Sequence, residues 1–445
     1  MMVDCIGSRG LDKVQFPALA YQTVIEGLGK GWQEWSELPS EAQLDEIIAF
    51  CDPIRKKAQS VVVLGIGGSA LGAAAVANAL LHLRHNELPE VKRNAPKFYV
   101  EDNIDPERMQ ALLDVIDLNR SYFIVITKSG ETSETLSQFL IAYDALKNLL
   151  GDKAREHIVA VTTIGKGTLY DIAVSEGFKI FGVGKGVGGR FSVLSPVGLV
   201  PLACVGIDIK GLIAGAKKAA QYCTDSDLNV NIALMMAVLN IEAYKKGCNI
   251  SVMMPYADSL KYMSDFYAQL WGESLGKKEA LSGEIVHVGQ TPVKALGVTD
   301  QHSQIQLYTE GPFDKVVTFL SVKCFRTKCE IPDDKKEGLS FLKGHTLNEL
   351  IDAECKATAF ALKKAERPNM TLTLDSVTPQ SVGELIMIFM YQTAFAGAML
   401  GVDTYNQPGV EEGKKATFAM MGRIGYEDKY KEMTAVSGQY TIERD

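Results

Sequence analysis

The sequence predicts an α/β fold of two lobes, each a mainly parallel sheet flanked by helices in three layers. Three observations predict it. Short apolar runs alternate with longer helical stretches along most of the chain, the pattern of βαβ units. The runs fall into two series with a boundary near residues 190–225. The 445 residues are enough for two or three domains with deep cores.

Taken in order, residues 1–50 read as an N-terminal helical region, in which Ser40 and Gln43 form a capping box before the run to Lys57. The first lobe, 51–205, carries strand candidates at Val61–Ile66, Phe98–Val100, Tyr122–Ile126, Ile158–Val161 and Lys179–Val183. Ser195-Pro196 opens a helix between the lobes, Pro suiting a first helical position. The second lobe, 206–400, has strand candidates at Ile250–Met254, Ile285–Val288, Val316–Val322 and Met370–Leu374. Between them lie helices around 228–247, 257–275, 346–364 and 378–400. Residues 401–445 read as a C-terminal helical segment, and the stretch 332–338, PDDKKEG, as a solvated loop.

Composition excludes several classes. With 47% hydrophobic and 22% charged residues the chain reads as a soluble globular protein, and no apolar run approaches the ~20 residues of a membrane span. The first residues mix acidic and basic side chains without an apolar core, so no secretory signal is read there and a cytoplasmic location is expected. A net charge of −8 disfavours nucleic acid and anionic membranes. The eight cysteines are scattered, the Cys324/Cys329 spacing lacks a nearby His, and no HxH or HExxH occurs, so no metal is called for. An anionic small substrate would need positive charge gathered locally, which draws attention to Lys and Arg inside Gly-rich loops.

Three such loops occur in the first lobe. VVVLGIGGSALG places Gly65, Gly67 and Ala70 in a loose dinucleotide fingerprint, with Glu101 or Asp102 as the ribose-binding acid. The same loop also lets Gly67, Gly68 and Ser69 approach a phosphate at a helix N-terminus. TKSGETSET then sets Thr127, Ser129, Thr132 and Thr135 hydroxyls, with Lys128, where a strand gives way to a helix. One hydroxyl suffices to cap that helix, and the surplus beside a second Gly/Ser loop points to a cradle for one phosphate monoester. GVGKGVGGRFSVLSPVG, 182–198, brings a glycine-lined backbone and Arg190.

In the second lobe, PYADSLKYMSDFYAQLWGESLGKK reads as a helix with Leu260, Met263, Tyr267, Leu270 and Trp271 toward the core and Gln269 and Glu273 together on another face. GVTDQHSQIQL puts His302 at a loop-to-helix junction. Finally, the apolar run holding Leu385, Ile388, Phe389 and Phe395 breaks at GVDTYN and re-enters a helix at QPGVEEGK. A start near Pro408 places Gln407, Glu411 and Lys414 on one face. A solvated Glu411–Lys414 pair is the plain alternative there.

These strings together resemble the phosphoglucose isomerase family. The C-terminal string fits aromatic-Asn-Gln-x-Gly-Val-Glu-x-x-Lys at every position, VGGRFSVLSPVG resembles a second family signature, and QLWGES-x-GK and Asp-Gln-His-Ser resemble two catalytic segments. One departure is Lys185, where the family usually has an acidic or small polar residue. The resemblance implies two sugar-isomerase lobes and interconversion of glucose 6-phosphate and fructose 6-phosphate through a cis-enediol, in glycolysis and gluconeogenesis, without metal or organic cofactor.

It further implies a role for each matching residue. Glu273 transfers the proton, Arg190 stabilises the intermediate, and His302 with Lys414 opens the sugar ring. Gly68, Ser69, Thr127, Lys128, Ser129, Thr132 and Gly189 hold the phosphate end, while Gln269 and Gln407 position sugar hydroxyls. A homodimer with shared active sites, His302 coming from the neighbouring subunit, is implied as well. Two alternatives stand beside this reading. A phosphosugar-sensing protein would keep the Ser/Thr loops without Glu273, His302 and Lys414 together, and a nicotinamide dehydrogenase rests on the Gly65–Ala70 fingerprint alone.

Overall fold

The computed structural model describes residues 2–6, 14–333 and 336–434. Part of the N-terminal stretch and residues 334–335 of the loop at 332–338 lie outside the described residues. The chain divides into two compact units, Met1–Thr404 and Tyr405–Asp445.

In the first unit the strands are β1 (Met2–Ile6), β2 (Ser60–Leu64), β3 (Lys97–Glu101), β4 (Ser121–Ile126), β5 (Ile158–Thr162), β6 (Lys179–Gly182), β7 (Ile250–Pro255), β8 (Lys277–Glu279), β9 (Ile285–Val288), β10 (Thr291–Lys294), β11 (Lys315–Cys324) and β12 (Asn369–Ser376). One sheet is wholly parallel in the order β3-β2-β4-β5-β6. Val62, Leu64, Phe123 and Val125 bury one of its faces against Leu112, Phe139 and Leu146 of the flanking helices. β2, β4 and β5 are buried on both faces, as continuous Val/Ile runs demand in a parallel sheet.

The second sheet runs β1-β12-β11-β7-β10, parallel except for β1, which pairs antiparallel with β12. Val252, Met254, Val317 and Phe319 pack there against Cys355, Ala359 and Leu362 of the helix Leu347–Lys364. The helix Pro379–Leu400 is capped by Thr378 and Ser381 and ended by Gly401 in the left-handed region (φ 67°). By length and composition it could cross a bilayer, but 89% of its apolar window is buried inside the unit, so it is a core helix.

Two expectations change. The N-terminal helical region contains a strand, β1, besides the helices Ala18–Gly27 and Glu41–Lys57; the Ser40–Gln43 capping box forms as read. Ile285–Val288 is not part of the second main sheet but pairs antiparallel with β8, and Ile285 is 54% exposed. Its place is taken by β10, whose Pro292 is tolerated because β10 is an edge strand needing no donor on its outer side.

Candidate active site

The order β3-β2-β4-β5-β6 reverses direction after the first two strands. In such doubly wound sheets ligands bind at the carboxyl ends of the strands flanking the reversal, here β2 and β4. The Gly65–Ala70 loop leaves β2 and the Thr127–Thr132 loop leaves β4, so the strand order alone brings the two Gly/Ser/Thr loops side by side.

The third loop returns from the edge strand β6 to meet them. A Cβ on Gly68 would overlap the Gly189 carbonyl and stand 2.6 Å from the Arg190 nitrogen, so only glycine permits this approach of two backbones. Ser192 seals the crossing by donating to the Gly189 carbonyl at 2.6 Å. Gly67, at φ 57°, presents an open face to the Gln269 amide.

Arg190 is 3% exposed and is held by all three of its nitrogens. Its Nε donates to Ser274 Oγ at 2.6 Å, Nη1 to Glu273 Oε1 at 3.1 Å and Nη2 to the Thr404 carbonyl at 2.6 Å. Gln269 Nε2 donates to the other Glu273 oxygen at 3.0 Å. Glu273 keeps 27% of its side chain exposed, so the carboxylate is held from two sides and open on a third. Lys277 Nζ donates to the Glu273 main-chain carbonyl at 2.8 Å, satisfying one of the acceptors left at a helix C-terminus. Burial, and next the Arg190 charge, push the Lys277 ammonium down to about 8. Two cations, Arg190 and Lys277, therefore gather beside Glu273 in a chain of net charge −8, with the Asp403 carboxylate also acting on Lys277.

At the strand ends the hydroxyls turn on one another. Thr127 Oγ1 lies 2.8 Å from Thr132 Oγ1 and 3.3 Å from Ser129 Oγ. The capping expectation fails: Thr132 is the N-cap of the helix Ser133–Leu150, yet its side chain accepts no hydrogen bond from that helix. The Thr132 hydroxyl is engaged by its neighbours instead, and the first-turn N–H groups remain available to an anion. Lys128 Nζ donates to the Lys185 carbonyl at 2.9 Å, and burial lowers its pKa to about 8. Ser69 closes the short turn Gly67–Ser69 on the β2 side.

Glu101 and Asp102, the ribose-binding acids of the dinucleotide alternative, are both paired with Arg108, at 2.8 and 2.7 Å. That removes the acid the fingerprint needs.

His302 follows the short turn Thr299–Gln301 and is exposed, with no hydrogen bond or ion pair to Arg190, Gln269 or Glu273 among the described residues. In the second unit, Pro408–Val410 is a 3₁₀ turn continued by the helix Glu411–Met420. There Lys414 Nζ pairs with Glu411 Oε1 at 2.8 Å, both about half exposed, and Gln407 is the N-cap of the turn. Ser274 and Lys277 were not singled out from the sequence, although the string ES-x-GK contains both. Among the described residues no three His, Cys, Asp or Glu side chains stand together as a metal site requires.

The profile of the family described as phosphoglucose isomerase matches residues 50–435. The chain belongs to the phosphoglucose isomerase family. Among curated members of that family, the glucose-6-phosphate isomerase of Carboxydothermus hydrogenoformans is 54% identical over 401 residues, 90% of this chain and 86% of the relative. That of Rubrobacter xylanophilus is 43% identical over 372 residues, 83% and 84% of the two chains. Among solved structures, a hypothetical protein of Thermus thermophilus superposes with a TM-score of 0.85 at 34% identity, covering 95% of this chain and all of that one. A glucose-6-phosphate isomerase of Chlamydia trachomatis shares the family fold at a TM-score of 0.76 and 22% identity, covering 94% and 80%.

Proposed function

We propose that the protein interconverts glucose 6-phosphate and fructose 6-phosphate, a step common to glycolysis and gluconeogenesis, by moving a proton between C2 and C1 through a cis-enediol. The single observation that carries this reading is the Arg190–Glu273 pair, 3.1 Å apart, with Arg190 at the point where the glycine loops following β2 and β6 meet. An ionised carboxylate is acceptor-only and suits a base, and a fixed guanidinium suits the negative charge of the enediolate. Ser69, Thr127, Ser129 and Thr132, with the backbone at Gly68 and Gly189, hold the phosphate. Lys128 supplies charge there, and Gln269 and Gln407 position sugar hydroxyls.

Ring opening is assigned to His302 with Lys414. Since His302 is exposed and bonds to none of Arg190, Gln269 and Glu273 among the described residues of its own subunit, the reading includes a homodimer in which each His302 serves the neighbouring site. The enzyme is taken to be cytoplasmic, which suits seven free cysteines among the described residues.

The experiment is complementation. Glu273→Gln and His302→Ala are each expected to be nearly inactive on fructose 6-phosphate. Mixed, unfolded and refolded together, they should regain up to about a quarter of wild-type activity, because random pairing in a symmetric dimer gives half heterodimers with one intact site in two. No recovery despite dimer formation would place His302 in its own subunit's site. Full activity of either variant alone would remove that residue from the chemistry.

A further inference from the structure

The segment just after the first helix is absorbed by none of the assigned roles, yet it touches two of the three site loops. Gln33 forms an isolated antiparallel bridge with Val187, and Glu34 Oε2 accepts from the Gly186 N–H at 2.8 Å. A Cβ on Gly186 would overlap the Gly31 carbonyl and stand 2.5 Å from the Glu34 carboxyl carbon, so the segment lies directly on the loop that leads to Arg190. Trp35 anchors it: buried, it stacks on Phe191 with ring centroids 5.3 Å apart and meets Tyr391 edge-on at 5.1 Å. Trp32 reaches the other way. Its ring lies 4.3 Å from Lys128 Nζ, the ammonium that also donates to the Lys185 carbonyl.

We propose that Gly31–Glu34 is a positioning clasp for the phosphate end of the active site, in which Trp32 fixes the Lys128 ammonium and Glu34 fixes the Gly184–Gly188 loop. The proposal rests on the phosphosugar reading given above. A lysine on a four-carbon stem is otherwise a mobile point charge, and its value to a phosphate depends on being held where the phosphate arrives. The ring face supplies that hold without neutralising the charge, as a carboxylate would. The contact with Lys185 is to a main-chain oxygen, so the departure from the family pattern at that position leaves the clasp intact. Trp32 and Glu34 are thus positioning residues, acting through Lys128 and through the loop.

The charge so held titrates close to working pH. Burial lowers Lys128 to about 8, with Glu34 opposing and Lys166 adding to that drop; the Trp32 face and the Lys185 carbonyl complete its surroundings. If the Trp32 ring provides part of that burial, its removal should open Lys128 to water and move its titration back toward 10.5.

The test is a double-mutant cycle on the full chain, with Trp32→Ala, Trp32→Phe, Lys128→Met and the Trp32→Ala/Lys128→Met pair. Each is assayed with fructose 6-phosphate as substrate and inorganic phosphate as competitive probe. Trp32 is 51% exposed, so its truncation leaves the core alone. Trp32→Ala should raise KM and the phosphate inhibition constant about three- to tenfold, with kcat within about twofold, and Trp32→Phe should restore most of the loss. In the Lys128→Met background the tryptophan change should add nothing. In the wild type KM should climb as pH passes about 8, and in Trp32→Ala this climb should move to higher pH. Additive effects of the two substitutions, or an unchanged KM and pH profile in Trp32→Ala, would overturn the clasp. Thr132→Ala measured alongside separates the two failures. If it raises KM while Trp32→Ala does not, only the clasp falls; if neither does, the phosphate site itself is misassigned.

Discussion

Replacing Glu273, the proposed base, by Gln changes one atom and little else. One carboxylate oxygen accepts from Arg190 Nη1 at 3.1 Å and the other from Gln269 Nε2 at 3.0 Å. In the variant the amide oxygen stays toward the arginine, and the new NH2 faces the Gln269 amide, which turns over to offer its oxygen. Both hydrogen bonds survive, but the bond to Arg190 loses its ionic partner. Hydrogen bonds to charged groups are worth ~1.5–3 kcal/mol and neutral ones ~0.5–1.5, so the fold should lose about 1 kcal/mol, which in a chain of 445 residues lowers the melting temperature by only about one degree. The chemical step loses its base. A coupled assay on fructose 6-phosphate should show kcat reduced ~10²–10⁴-fold, while the calorimetric Kd for the same sugar phosphate stays within about threefold. A kcat loss below about tenfold in a folded variant would refute the assignment of Glu273.

Further outcomes follow from the same geometry. Ser129→Ala or Thr132→Ala should raise KM about tenfold at nearly constant kcat, since each removes a donor to a charged phosphate remote from the reacting carbons; steady-state kinetics with a larger kcat than KM effect would contradict this. Gly68→Ala forces the backbones of two loops apart at Gly189 and Arg190, and should depress kcat at least tenfold while circular dichroism stays native; wild-type kinetics would show that the loop approach is dispensable. Lys277 titrates at about 8 folded and near 10.5 unfolded, so the unfolded chain binds more protons between those values and stability rises with pH across that window. The drop corresponds to on the order of 3 kcal/mol at ~1.4 kcal/mol per pH unit, and urea unfolding at pH 7.5 to 10 should show the wild type gaining on Lys277→Met as pH rises. A pH-independent difference would mean the ammonium is not desolvated.

Local chemistry made much of this legible. β2, β4 and β5 are read correctly because buried parallel strands are continuous β-branched runs, and the Ser40–Gln43 box announces its helix. Gln269 and Glu273 stand four residues apart, off the apolar stripe of Met263, Tyr267 and Trp271, all buried, but that spacing alone reads as a surface pair, and it is the resemblance of QLWGES-x-GK to a family segment that marks Glu273. β1 and β10 escape because their identity is tertiary: a five-residue strand exists only through pairing with β12, and Pro292 reads as a breaker until an edge is available for it. In sequence any one of the TKSGETSET hydroxyls reads as the helix cap, and only the proximity of the Thr127 hydroxyl shows that Thr132, at the N-cap position, is engaged elsewhere. Ser274, Lys277 and Trp32 are invisible for a related reason. Each acts on Glu273, Arg190 or Lys128 across a distance in the chain, or through a main-chain atom, that no periodicity encodes.

In the proposed reaction a carboxylate of this chain, Glu273, moves a proton between adjacent carbons of a sugar phosphate. Its most direct test is proton NMR of fructose 6-phosphate incubated with the purified enzyme in D2O. Glucose 6-phosphate should accumulate with deuterium entering at C2, and Glu273→Gln should suppress both conversion and exchange together. Conversion with every carbon-bound hydrogen retained, or exchange undiminished in Glu273→Gln, would contradict proton transfer by this residue.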